Sequence, residues 1–541
     1  MQEIKDQNSR RHVRPWLPYR NNETDVSYGL RALLYDSVCS QIMDTLTGGA
    51  FLVAFALLLG ASNTVVGLLA AISPLTQLLQ LPAIYLVDRM ASRKTLVVFS
   101  SFFSRVFWFA VAVVPWLVAD EQRLSVLLVC LFFYFGLASI SACGFNPWIR
   151  DFVPEKIMGR YFGKCLAVAT AAGVLIAVPA GMGIEIGKSY SLGQFIPYAV
   201  LFIVGGMFGL AGVYFLTRIP EPRITAHKPQ GVLETLAQPI RDLNFRRLLM
   251  FFGTWFFAIN LAGPFYAVYM IKQLELSMSL VVGLTALSQI MSVLSFRIWG
   301  RAADTFSNKS VLLLSGHLYI ISVLLWPFLA LPQPYFLMIP LLAIIHVLIG
   351  ISSAGLSLCT GNIALQAAPQ GKATSFLALN TLVHGIAAAT APILGGIIAD
   401  GLTGSQLSLA PYLSLAQSDF LSNLPDFGRH GLHFIFFFAA ILGLYAMRRL
   451  RVVNDGREVK GQVVISYFAT EARKGVERLS STLRLTNPNS RSPISRPRSN
   501  PGSRFLDRIG FLLFGNEVHK VPLEEKDLSS SQQELHSVTK S

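Results

Sequence analysis

The sequence predicts an all-α polytopic membrane protein, with twelve transmembrane helices arranged as two pseudo-symmetric six-helix bundles. Three observations carry that prediction: an apolar composition, apolar runs of spanning length, and an internal repeat. The 541 residues are 53% hydrophobic and only 14% charged, with a mean hydropathy of +0.52. Soluble domains carry about a quarter charged residues. Apolar runs recur along most of the chain, and about twenty such residues cross a hydrocarbon layer as a helix.

The elements follow in order. Residues 1–30 are a polar, basic tail without the pattern of a secretory signal peptide, so the first span is expected to act as its own insertion signal. The first bundle, 31–217, holds spans near 41–60, 64–87, 95–118, 124–145, 162–186 and 194–217. A linker at 218–246 leads to the second bundle, 247–451, with spans near 247–271, 279–299, 310–331, 334–360, 374–399 and 431–450. Residues 452–541 form a basic, largely disordered tail. The connecting segments alternate in charge. Arg89, Arg93 and Lys94 follow span 2, Arg150, Lys156, Arg160 and Lys164 follow span 4, Arg301 and Lys309 follow span 8, and Lys372 follows span 10. The alternate loops hold single charges, such as Arg123, Lys188, Lys272 and Arg429, or none. Because Lys and Arg hold short loops in the cytoplasm, both termini are expected there, in a multi-pass protein of the plasma (inner) membrane. The net charge of +15 is then mostly topology and tails, with no nucleic acid partner implied.

The repeat is read from five matches in order. Val65-Val66-Gly67-Leu68 opens span 2 and Val281-Val282-Gly283-Leu284 opens span 8, at 281−65 = 216. Asp88 and Asp304 keep the offset of 216, Pro154 and Pro369 differ by 215, Gly136 and Gly350 by 214, and Pro179 and Pro392 by 213. Parallel repeats of this kind imply a pseudo-twofold axis along the membrane normal.

At the 2–3 loop the chain reads Ile84…Asp88-Arg89-Met90-Ala91-Ser92-Arg93-Lys94, and at the 8–9 loop Gly300-Arg301-Ala302-Ala303-Asp304…Lys309. With the six-plus-six repeat, these charged turns resemble the major facilitator superfamily of secondary transporters over roughly residues 30–450. Ile84 and Ala91 replace the family's two signature glycines in the first copy, and the second copy loses most of the basic tail. The Arg-x-x-Gln-Gly element that many antiporters carry in span 4 is absent. The resemblance implies transport of a small organic solute by alternating access, driven by protons. It also implies a gate built from Asp88, Arg89, Arg93, Lys94, Gly300, Asp304 and Lys309. Asp88 is expected at the N-terminal end of span 11 (371–375) and Asp304 at the start of span 5 (159–162). The basic residues are expected on carboxylates such as Asp151 or Glu155. A carboxylate at a helix N-terminus gains about 0.3–2 kcal/mol. A role confined to topology is the alternative.

Ionisable residues inside a membrane are costly and therefore functional candidates. Asp44 in span 1 is the proton-coupling candidate, with a structural ion pair to Arg105 of span 3 as the competing reading. Asp36 and Arg31 are placed at the membrane interface, as is Glu185 at the outer end of span 5. In span 7, Asn260 precedes the helix-breaking Gly263-Pro264, followed by Tyr266. A break of this kind is tolerated where a helix lines a cavity. Asn260, Tyr266, His346 and His384 are the substrate-binding candidates, the histidines because imidazole binds or relays protons near neutrality.

The five cysteines form no CxxC pair, and no metal site or cofactor is expected. No nucleophile, metal cluster or carboxylate pair points to an enzyme. In the C-terminal tail, the short apolar stretch 505–515 follows an arginine-rich segment, which suits contact with anionic inner-leaflet lipid. An uncoupled facilitator and a non-transporting receptor or scaffold are the alternatives to a coupled transporter. Asp88→Asn separates gate from topology determinant: a gate predicts normal membrane insertion with altered transport rates. Unchanged transport at normal insertion leaves topology alone.

Overall fold

The computed structural model describes residues 23–80, 83, 92–154, 157–189, 193–221, 239–330, 335–368, 373–402 and 431–454, and every regular element among them is helical. Eleven helices among the described residues are long and apolar enough to cross a membrane. They are span 1 (Val26–Leu58), span 3 (Arg93–Leu117), span 4 (Asp120–Phe152), span 5 (Arg160–Gly187), span 6 (Ile196–Leu216), span 7 (Leu243–Gln273), span 8 (Met278–Thr305), span 9 (Asn308–Leu329), span 10 (Leu337–Ala364), span 11 (Leu379–Leu402) and span 12 (Gly431–Arg451). The shorter apolar helix Asn63–Leu79 occupies the place of span 2. Residues 84–91 of the 2–3 loop lie outside the described residues, as do the tails 1–22 and 455–541. The face carrying both ends of the described chain is called the terminal face, and the opposite one the distal face.

Span 1 departs most from expectation. Its helix begins at Glu23, well before residue 41, because Arg31 and Asp36 interrupt hydropathy without interrupting the backbone ladder. The span is also broken. Glu23–Thr47 ends at Gly48, and Gly49–Leu58 restarts with Gly49 at φ +52, a left-handed value that glycine adopts without strain. Span 7 breaks at the equivalent place. Leu243–Ala262 stops at Gly263-Pro264, where proline supplies no N–H, and the chain continues through Phe265–Val268 and a π turn at Tyr269–Gln273. The separation 263−48 = 215 is the offset of the repeat.

Within the first half, span 1 packs on spans 5 and 6, and span 3 on spans 4 and 6. Within the second, span 10 packs on spans 8 and 9, and span 7 on spans 11 and 12. Apolar side chains such as Phe103, Trp116, Leu175, Met207 and Phe438 remain exposed on the outside, the surface expected against lipid. The halves meet chiefly where span 2 lies on span 11 and span 5 on span 8. Glycine sets the approach at both. A Cβ at Gly67 would overlap the carbonyl of Pro392, one at Gly396 would strike the backbone of Asn63, and one at Gly181 would stand 2.9 Å from Ser279 Cα. Gly181 and Gly396 are themselves repeat mates, at 396−181 = 215.

Gly396→Val is therefore expected to cost about 1–3 kcal/mol through overpacking, read as a lower melting temperature of the purified protein. Gly283→Ala, where nothing lies within 4 Å of the added carbon, is expected not to lower it.

Candidate functional site

Asp44 sits one turn before the break in span 1, and its backbone carbonyl accepts from Gly48 N at 3.0 Å. Asp44 is exposed although Arg105 and Tyr134 stand beside it. Arg105 reaches in from span 3. Its Nη1 donates to Ser101 O at 3.2 Å and its Nη2 to Ser40 Oγ at 3.3 Å, while its stem lies against Gly209 of span 6. Asp36 is buried between helices. Because the helix starts at Glu23, Asp36 lies well inside it, only 5% exposed, with its carboxylate against Gly212 of span 6. Asp36, Ser40 and Asp44 are four residues apart and so share one helix face. Neither carboxylate is in ion-pair contact with Arg105, and both Asp36 Oδ1 and Arg105 Nε are buried without a hydrogen-bond partner.

The second-half candidates fall into two groups. Asn260 is the repeat mate of Asp44, at 260−44 = 216, and its Nδ2 donates to Phe256 O at 2.8 Å. His384 of span 11 lies against the same phenylalanine, with ring centroids 3.9 Å apart. Tyr266 and His346 stand elsewhere, around Trp326. Tyr266 stacks on that indole at 4.6 Å and 11°, and His346 meets its edge at 5.8 Å. His346 is buried, with Nδ1 2.9 Å from Leu342 O. Asn260 and His384 thus share Phe256 as a neighbour, and Tyr266 and His346 share Trp326.

On the terminal face, Asp88 and Arg89 lie outside the described residues. Arg93 Nη1 pairs with Asp151 of span 4 at 2.9 Å. Glu221 accepts from Ser92 Oγ and Arg93 N, each at 2.6 Å, and from Lys94 N at 3.1 Å, capping the start of span 3. Lys94 Nζ donates to Ile219 O beyond span 6 at 2.8 Å, and Lys309 Nζ to Arg451 O ending span 12 at 3.0 Å. These bonds lie within a half. A Cβ at Gly300 would meet Leu358 at 3.9 Å, and Asp304 is exposed with no hydrogen bond or ion pair among the described residues.

The distal face carries bonds between the halves that sequence reasoning missed. Asp400, at the end of span 11, seats both carboxylate oxygens on the N-terminus of span 2. Oδ1 accepts from Asn63 N at 3.0 Å and Nδ2 at 2.9 Å, while Oδ2 accepts from Thr64 N at 2.7 Å and Oγ1 at 2.6 Å. Glu185, ending span 5, does the same at span 8, accepting from Ser279 N at 2.9 Å and Oγ at 3.2 Å. The two carboxylates are 400−185 = 215 apart, and their partners Thr64 and Ser279 are 279−64 = 215 apart. Each follows its close-approach glycine by four residues, Gly181 and Gly396. Lys272 Nζ adds a donation to Ala61 O at 3.4 Å. The available signal was the repeat itself, since a Gly-x-x-x-acid pattern recurs at its offset.

A duplicated six-helix unit, with equivalent broken helices and close glycine contacts between its halves, defines a class of polytopic helical membrane protein. The sequence profile of the Major Facilitator Superfamily matches residues 37–392, and the chain belongs to that superfamily. No curated protein matches it in sequence. Among solved structures, a variant of the nucleoside transporter NupG is similar at TM-score 0.57 and 13% identity, covering 79% of this chain and 99% of that one. A D-xylose–proton symporter is similar at TM-score 0.57 and 13% identity, covering 80% and 98%. A bacterial homologue of the human lysosomal transporter Spinster, inward-facing and unoccupied, is similar at 0.56 and 16%, covering 81% and 99%.

Each distal cap is expected to hold the closed arrangement by about 1 kcal/mol, so removing both shifts the balance toward an open distal face roughly tenfold or more. Spin labels at Glu121 and Phe328, exposed at the distal ends of opposite halves, read this directly. The variant carrying Asp400→Asn and Glu185→Gln should gain a longer-distance population.

Proposed function

We propose that this chain is a secondary transporter that moves a small organic solute across the plasma membrane by alternating access, with a proton bound at Asp44 as the coupling ion. One observation carries the reading. Asp44 and Asn260 occupy the same register of the repeat, each one turn ahead of a helix break. Discontinuous helices of this kind supply free backbone groups and polar side chains to a site between two halves. The solute contacts are assigned to Asn260 and His384 beside Phe256, with Tyr266 and His346 forming a further layer around Trp326. Amide, imidazole and aromatic groups suit a solute with few fixed charges.

The distribution of Lys and Arg puts the terminal face in the cytoplasm. With Asp400 and Glu185 bonded at the distal face, the arrangement then corresponds to a state open toward the cytoplasm. Asp88, Arg89 and the free Asp304 close the terminal face in the opposite state, while Arg93, Lys94 and Lys309 brace the ends of their own halves. Contacts worth about 1 kcal/mol each leave two states close enough for solute or proton binding to shift their populations. The basic C-terminal tail rests on anionic lipid.

The test uses purified protein in proteoliposomes, a panel of labelled small solutes and an imposed proton gradient. Asp44→Asn is expected to abolish uphill accumulation while keeping solute counterflow. Accumulation by the wild type that survives collapse of the proton gradient would establish an uncoupled facilitator. Binding without counterflow would establish a receptor.

A further inference from the structure

The Asp44 cluster contains a group that a single coupling residue leaves unexplained. Asp36 is a carboxyl, 5% exposed, with Oδ1 buried and unpartnered. The titratable and charged groups facing it are few. Span 1 contributes Cys39 and Asp44, span 3 contributes Arg105, and span 5 contributes Tyr161, while span 6 presents only Gly212. Two carboxyls therefore share one guanidinium, and Arg105 is held between them. Its Nη2 bonds Ser40, midway between Asp36 and Asp44 on their common face, and its Nε is free. Gly209 and Gly212 of span 6 present no Cβ where the Arg105 stem and the Asp36 carboxylate lie. A buried carboxylate without a cation in contact costs several kcal/mol. One guanidinium offsets one carboxylate, so the cluster keeps a single excess negative charge that one proton cancels.

We propose that Asp36 is a second proton-binding carboxyl of the coupling site, sharing Arg105 with Asp44, so that the cluster holds one exchangeable proton and passes it between them. In the arrangement seen, the buried Asp36 carries the proton and the exposed Asp44 is the carboxylate. When Asp44 takes the proton that Asp36 gives up, Arg105 turns to the Asp36 carboxylate. Such a pair titrates as a unit, not as two independent groups. The inference rests on proton coupling at Asp44, as set out under Proposed function.

Infrared difference spectroscopy of the full-length protein in lipid nanodiscs, stepped in pH without any solute, reads protonated carboxyls through their C=O stretch. Wild type is expected to show a band near neutral pH that Asp36→Asn removes. Asp44→Asn should also weaken it, because Asp36 then ionises against an undivided Arg105. Arg105→Gln, which leaves two carboxyls without a cation, should roughly double it, and this variant keeps the proposal testable if Asp36→Asn does not fold. An Asp36→Asn protein with the wild-type band and pH dependence would overturn the second site while leaving coupling at Asp44 intact. An Asp44→Asn protein that keeps both the wild-type spectrum and proton-driven accumulation would overturn the coupling reading itself.

Discussion

A carboxylate from one half seated on a helix N-terminus of the other is the contact on which the arrangement rests. The first turn of a helix leaves its N–H groups without intrahelical partners. At the distal ends of spans 2 and 8, those groups are completed by Asp400 and Glu185 of the opposite half. The bond needs close backbones, which Gly396 and Gly181 permit by presenting no Cβ one turn before each acid. A cap of this kind contributes about 0.5–2 kcal/mol. That is enough to define a closed face when two act together, and small enough to be undone by binding energy.

On the terminal face, the same chemistry is turned inward. Glu221 caps span 3, Lys94 donates to a carbonyl beyond span 6, and Lys309 donates to the carbonyl that ends span 12, all within a half. Helix ends are thus tied into each bundle at one face and tied across bundles at the other. Two internally braced halves thus meet along spans 2 and 11 and along spans 5 and 8, with the carboxylate caps at the distal ends of those contacts.

The framework is symmetric, and its chemistry is not. Caps, close-approach glycines and helix breaks recur at offsets of 215 or 216. The ionisable cluster of Asp36, Asp44 and Arg105 belongs to the first half alone, where the second half has Asn260 at the register of Asp44. Aromatic packing around Trp326 and the two histidines fills the second half instead. Duplication supplies the common framework, and divergence between the copies leaves a charged cluster in the first half and neutral polar and aromatic groups in the second.

The sequence by itself determined the membrane class, the duplicated six-helix plan and the break in span 7, because each is local or periodic. Hydropathy is a sum over neighbours, Gly-Pro interrupts a helix wherever it stands, and a repeat is visible as an offset. It also marked Asp44 and Asn260, since charges and breaks inside apolar runs are conspicuous. Only the tertiary structure decided that Asp36 is buried, that Asp44 and Arg105 are neighbours without an ion pair, and that Lys94 and Lys309 act inside their own halves. It alone found Asp400 and Glu185, which look like ordinary interfacial acids at the ends of their spans. Helical periodicity fixes the face a residue occupies. It does not fix which of eleven other helices that face meets, or at what height, and a cap needs both.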